Sequence, residues 1–148
     1  MTAKQLWEEF AVQHSIGHCE YEAWSFGAQP DLLARLVASG QKTATASAYA
    51  LYELEQQPLP QIGKYDVILD SRGEAVCIIQ TKKVYVTPFC DVTEEHAYKE
   101  GEGDRSLDFW RKTHQQFFAQ CLQEVGLKFS PDMQVVCEEF ELVYPKVQ

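Results

Sequence analysis

The sequence predicts an α+β domain, a barrel or meander of mixed and antiparallel strands with helices around it, on three observations. Segments of helical period open the chain and return before its end. Runs of β-formers fill the middle and the C-terminus. The two kinds do not alternate in the strand-helix-strand order of a doubly wound sheet. At 148 residues the chain suits one domain, able to bury about 70% of the surface its unfolded form exposes. Residues 1–23 read as an N-terminal helical extension packed on a body formed by 24–148.

The first helix is expected over residues 4–14, where Leu6, Trp7, Phe10 and Ala11 share one stripe. Residues 17–28 read as irregular. A second helix starts at Pro30 and Asp31, with Leu32, Leu33, Leu36 and Val37 on its stripe, and ends at Gly40, where a C-terminal cap needs positive φ. A third is expected from Ala46 to Glu55, stopped by Pro58 and Pro60. The period then changes to that of strands. Tyr65 to Leu69 and Ala75 to Gln80 flank the turn signal Asp70 to Gly73, and Lys83 to Thr87 alternates as a further strand. Asp91 and Glu94 resemble a capping box for a short helix closed by Gly101 and Gly103. Ser106 opens a long helix carrying Leu107, Trp110, Phe117, Cys121 and Val125 on one side, with Gly126 past its end. Gln134 to Tyr144 is the closing strand.

Composition narrows the function. Lys and Arg number 13 against 22 Asp and Glu, a net charge of −9, which argues against a broad phosphate-binding surface. A nucleoside, or one base of a single-stranded RNA held in a pocket, suits this charge better than a duplex. Five scattered cysteines, with no C-x-x-C pair, give neither a disulfide framework nor a thiolate metal cage, and Cys77 and Cys137 read as small buried hydrophobes. The acidic start and the lack of a long apolar run point to a soluble, unprocessed, cytoplasmic protein, monomeric or homodimeric, with no membrane partner.

Gly40, Lys42 and Thr45 in the pattern G-x-K-x-x-T, Leu59 to Gly63 before a strand, the acidic loop Glu100 to Asp104 and the segment Trp110 to His114 together resemble the longer ASCH-domain proteins of bacteria. The resemblance runs from Trp24 to Tyr144. It implies a PUA-like β-barrel with surrounding helices, in a superfamily associated with RNA binding. A shorter branch looks like an amidohydrolase that removes acetyl from N(4)-acetylcytidine; its Lys, Thr and Glu correspond to Lys42, Thr45 and Glu100. Longer members are reported as ribonucleases, which implies single-stranded RNA as an alternative substrate, and a non-catalytic RNA- or nucleotide-binding regulatory domain is the third reading. Gln41 and Ser47 stand where the shorter branch has Arg.

The residues themselves carry a candidate site. Lys42 and Thr45 are three apart, so a shared pocket needs a helical turn between them. Thr45 then sits near a helix N-terminus able to hold an oxyanion, or is simply an N-cap beside a solvated lysine. Glu100, Glu102 and Asp104 form a glycine-flanked loop that supplies an acid or base, takes a hard cation such as Mg²⁺, or is merely solvated; no dedicated metal ligand set or other cofactor is expected. His114, one turn beyond Trp110, points inward, and Arg111 lies on the same segment. Trp24 is a core residue or a platform for a stacked base. Gly40, Trp24, Glu102, Asp104, Arg111, His114 and Glu138 complete the expected substrate-binding set. Glu138 shares a strand face with Val136 and Phe140, so it meets Lys42 or an arginine in the pocket, or a bulge exposes it.

Overall fold

The computed structural model describes residues 1–17 and 19–146; the last two residues of the expected 24–148 domain lie outside them. Five strands, β1 (Tyr21–Ser25), β2 (Ala44–Ala48), β3 (Tyr65–Leu69), β4 (Ala75–Pro88) and β5 (Gln134–Tyr144), form one sheet in the order β1-β3-β4-β5-β2. Only β1 and β3 are parallel; the other pairs are antiparallel. With β1 and β2 left as edges, the sheet is a PUA-like half-barrel. Around it stand α1 (Ala3–Gln13), α2 (Pro30–Ala38), α3 (Tyr49–Glu55), α4 (Glu94–Glu100) and α5 (Leu107–Glu124).

The middle strands are buried on both faces, which explains their unbroken apolar runs. Val67 and Ile78 pack on Leu6, Trp7 and Phe10 of α1, while Ile68, Cys77 and Ile79 pack on Leu33, Ala34 and Val37 of α2. Cys137 and Val135 meet Trp110, Phe118 and Leu122 of α5. Burial pushes the Cys77 thiol up to about 12, so this cysteine is an inert apolar group, as expected. Among the described residues no helix is long and apolar enough to cross a membrane.

Several elements differ from the sequence reading for identifiable reasons. Tyr21 to Ser25 form an edge strand, held by parallel pairing to β3 from Tyr65 to Leu69, so the sheet spans the boundary expected between residues 23 and 24. Ala44 to Ala48 are a strand and not the start of a helix, because pairing with β5 outweighs the weak helical preference of alanines. The two expected runs 75–80 and 83–87 are one strand, bent where the register shifts at Thr81/Lys83. Thr93, not Asp91, caps α4 by accepting from the His96 N–H at 3.1 Å. The buried stripe of α5 is Trp110, His114, Phe118 and Leu122, a strict i, i+4 row, one position off from the expected Phe117 and Cys121.

Candidate active site

α2 ends at Ala38, and Gly40, two residues beyond with a φ of +84°, makes the turn that the sequence predicted. The chain then descends to Lys42. The Lys42 N–H bonds to the Leu36 carbonyl at 3.0 Å and the Thr43 N–H to the Lys99 carbonyl at 2.7 Å, which fastens this segment to α2 and α4. Gly101 is required beside it: φ is +73°, and a Cβ there would lie 2.5 Å from the Gln41 carbonyl oxygen. Two backbones thus meet closely, and their side chains turn inward together.

Lys42, only 1% exposed, directs its ammonium at Glu100 Oε1 (3.2 Å), Glu102 Oε2 (2.9 Å) and the Glu100 carbonyl (3.4 Å). An ammonium has three N–H donors, and all three are used. Glu100 is equally buried and is the hub. Its Oε2 accepts from the Trp110 indole at 2.6 Å and contacts His96 Nε2 at 2.7 Å, while His114 Nε2 lies 3.3 Å from Oε1. Burial alone would raise the Glu100 carboxyl; the charges of Lys42 and His114 and the hydrogen bonds of both histidines outweigh it and hold it well below the usual carboxylate range. Burial would likewise lower both imidazoles. Cys137 and Glu100 instead raise His96 to about 9, and Glu100, with a smaller effect from Glu102, raises His114. His114 also stacks on Trp110, ring centroids 4.3 Å apart, and its Nδ1 donates to the Trp110 carbonyl at 2.9 Å.

Lys42, Thr45, Glu100, Glu102, His114, Trp24 and Glu138 line one cavity of about 920 Å³. Lys42 precedes β2 and lies outside the strand, so Lys42 and Thr45 share the cavity without the helical turn the sequence reading required. Thr45 stands on β2 opposite Glu138 of β5, not at a helix N-terminus. Three expected residues lie elsewhere. Gly40 shapes the turn without lining the cavity, Asp104 is exposed and accepts from the Ser106 N–H at 2.9 Å, and Arg111 is exposed and donates to the Cys90 carbonyl at 3.2 Å beside a separate groove. Glu138 meets neither Lys42 nor an arginine. It receives the Thr81 hydroxyl at 3.4 Å and faces Asp66, a buried cavity carboxyl that the sequence reading missed; its one signal is a charge inside the apolar run Tyr65 to Leu69.

The oxygen and nitrogen ligand atoms of Glu100, Glu102 and His114 lie within 4.8 Å of one another. The group fits a metal poorly. The Lys42 ammonium stands at 2.9 and 3.2 Å from both carboxylates, and the raised His114 favours a proton over a cation. Lys42 is the cation of this site.

Burial, with a contribution from Asp66, pushes Glu138 up to about 7 from an ordinary 4.5. This is the reverse of the usual carboxylate case. The unfolded chain releases the proton first, so stability is full below about pH 4.5 and falls by about 3 kcal/mol as pH rises through 7. Glu138→Gln does not titrate. Its melting temperature, relative to wild type, is expected to rise by about 10 °C between about pH 5 and pH 8. A difference that does not change with pH would refute the assignment.

The comparisons agree with this architecture. The ASCH domain profile matches residues 22–144. An ASCH domain from Lactobacillus crispatus JV V101 is 29% identical with a TM-score of 0.88, covering 94% of this chain and 92% of its own. A protein of Enterococcus faecalis V583 is 36% identical with a TM-score of 0.85, covering 95% and 86%. A hypothetical protein at 17% identity and a TM-score of 0.55 shares the fold alone. No curated protein matches. With a family profile spanning most of the chain and two solved structures superposing along it, this protein belongs to the ASCH domain family.

Proposed function

We infer that the cavity is the active site of a hydrolase acting on an acylated or modified pyrimidine nucleoside, of the N(4)-acetylcytidine amidohydrolase kind, through Lys42, Thr45 and Glu100. The observation that carries this reading is that Lys42 and Thr45 share one cavity, wide enough for a nucleoside, with Glu100, which is distant from them in sequence.

The geometry divides the roles. Glu100 has no proton to give at neutral pH, because its carboxyl is held far below that range, so it fixes Lys42 and is not the acid for the leaving group. Lys42, its donors all spent, works as a cation and not as a base. Glu102 is the more exposed of its two carboxylate partners, and an oxyanion forming on the acyl carbon takes the place of Glu102 at the ammonium. Thr45 supplies the hydroxyl that attacks that carbon, and its proton passes to the displaced Glu102 carboxylate. Glu102 then passes that proton to the nitrogen as the C–N bond breaks, and water hydrolyses the resulting threonine ester to release the acid and restore the hydroxyl. Trp24, on the cavity wall, gives the base an indole face on which to stack.

The test is incubation with N(4)-acetylcytidine and, separately, with mixed-sequence RNA, each with and without EDTA. Release of cytidine and acetate, unaffected by EDTA, is the expected result. Cleavage of RNA with no deacetylation would establish the ribonuclease reading, and binding with neither reaction the regulatory one. Any RNA binding should weaken only slightly with salt, by a slope of about one or two phosphates, because acidic residues outnumber basic ones 22 to 13. A steep slope in a salt titration would contradict this.

A further inference from the structure

A second acidic group faces the same cavity, apart from Lys42. Asp66 on β3 and Glu138 on β5 are each 6% exposed and both line the cavity wall, with Thr81 of β4 between their strands. The described residues give this pair one long hydrogen bond, from the Thr81 hydroxyl to Glu138 Oε2 at 3.4 Å, and the Trp24 indole N–H faces Asp66. Two carboxylates have about eight lone-pair sites between them, so most of this acceptor capacity turns to the cavity unmatched. The charged and titratable groups facing Glu138 are Asp66, Lys64 and Tyr52. Lys64 is the cation among them, and it is paired with Glu22 at 2.6 Å. Two buried negative charges without a cation of their own are unstable, and the simplest relief is a proton.

We propose that Asp66 and Glu138 hold one proton between them and use it to read a pyrimidine edge in which a hydrogen-bond acceptor stands beside a donor, as in cytosine and its N(4)-acyl derivatives. This rests on the nucleoside reading of the cavity and names the part of the substrate that is recognised. Burial raises the Asp66 carboxyl as well, but the Trp24 indole N–H and Lys64 oppose it, whereas Glu138 is pushed up to about 7, so the proton rests on Glu138. A neutral Glu138 carboxyl donates its O–H to the ring nitrogen and accepts the exocyclic N–H on its carbonyl oxygen. The adjacent N1–H and N–H₂ donors of a guanine edge pair with both oxygens of an ionised carboxylate, a contact that a neutral carboxyl cannot make. That contact gains as the carboxyl loses its proton, whereas the cytosine contact weakens.

The test is calorimetric titration with cytidine, which carries no acyl group to be hydrolysed, on wild type, Glu138→Gln and Asp66→Asn, between about pH 5.5 and pH 8.5. In wild type the affinity is expected to be level below about pH 7 and to fall about tenfold per pH unit above it. Glu138→Gln, a neutral group that keeps one donor and one acceptor, should bind with no pH slope. Asp66→Asn removes a neighbouring negative charge and should move the wild-type midpoint to lower pH. The proposal is overturned if wild-type binding is absent or independent of pH, if the slope survives in Glu138→Gln folded by circular dichroism, or if guanosine binds better than cytidine and gains affinity as pH rises. The hydrolase reading fails separately. Turnover of N(4)-acetylcytidine without pH-dependent cytidine binding would remove the acid pair alone, and pH-dependent binding without turnover would remove the hydrolase alone.

Discussion

Glu100→Gln is expected to lower the stability of the fold by about 3–5 kcal/mol, a drop of about 10 °C or more in melting temperature. The carboxylate stands among Lys42, His96, His114 and Trp110, all directed at its two oxygens inside the core. A carboxamide offers one acceptor oxygen and turns an N–H₂ toward donors, so at least one buried cation loses its partner. Because the hub is buried, activity lost in this variant says little about chemistry. The penalty also depends on pH with a definite sign. His96, raised to about 9, stabilises the fold fully below its ordinary 6.5 and loses that contribution as pH rises through 9, so the deficit of the variant shrinks over that interval. Thermal melts at several pH values measure both effects. A melting temperature within two or three degrees of wild type would mean that the network is not closed as described.

Thr45→Ala is expected to slow deacetylation of N(4)-acetylcytidine by about a hundredfold or more while leaving stability within about 1 kcal/mol. Thr45 is half-buried on the edge strand and belongs to no ion pair, so this variant separates chemistry from folding in a way that Glu100→Gln cannot. Thr45→Ser keeps the hydroxyl and should retain part of the rate. Lys42→Ala should lose as much activity, with a stability loss of its own because two carboxylates are left facing each other. If the residues act as one unit, Lys42→Ala/Thr45→Ala will be little slower than either single variant. Rates are compared on protein folded by circular dichroism. Wild-type turnover by folded Thr45→Ala would displace Thr45 from the mechanism and turn attention to direct attack by water.

What the sequence by itself determined is local or composed of strong patterns. The helical stripes of Leu6 to Phe10 and Leu33 to Val37, the turn at Gly40, the hairpin at Asp70 to Gly73 and the closing strand all follow from side-chain period and backbone preference, and the structure has each of them. Lys42, Thr45 and Glu100 could be named from the resemblance because the motif keeps them in register with glycines that fix the backbone. Tertiary structure alone decided the rest. Tyr21 to Ser25 and Ala44 to Ala48 are strands only because β3 and β5 offer them backbone partners, which no local period records. Glu100 became a buried hub, and not a loop acid, because the close approach of Gly101 to Gln41 turns two segments inward together. Asp66 and Glu138 became neighbours across 72 positions of sequence because β3 and β5 flank β4 in one curved sheet. A charge in an apolar run announces that a buried group needs a partner; only the pairing of the strands says which one it finds.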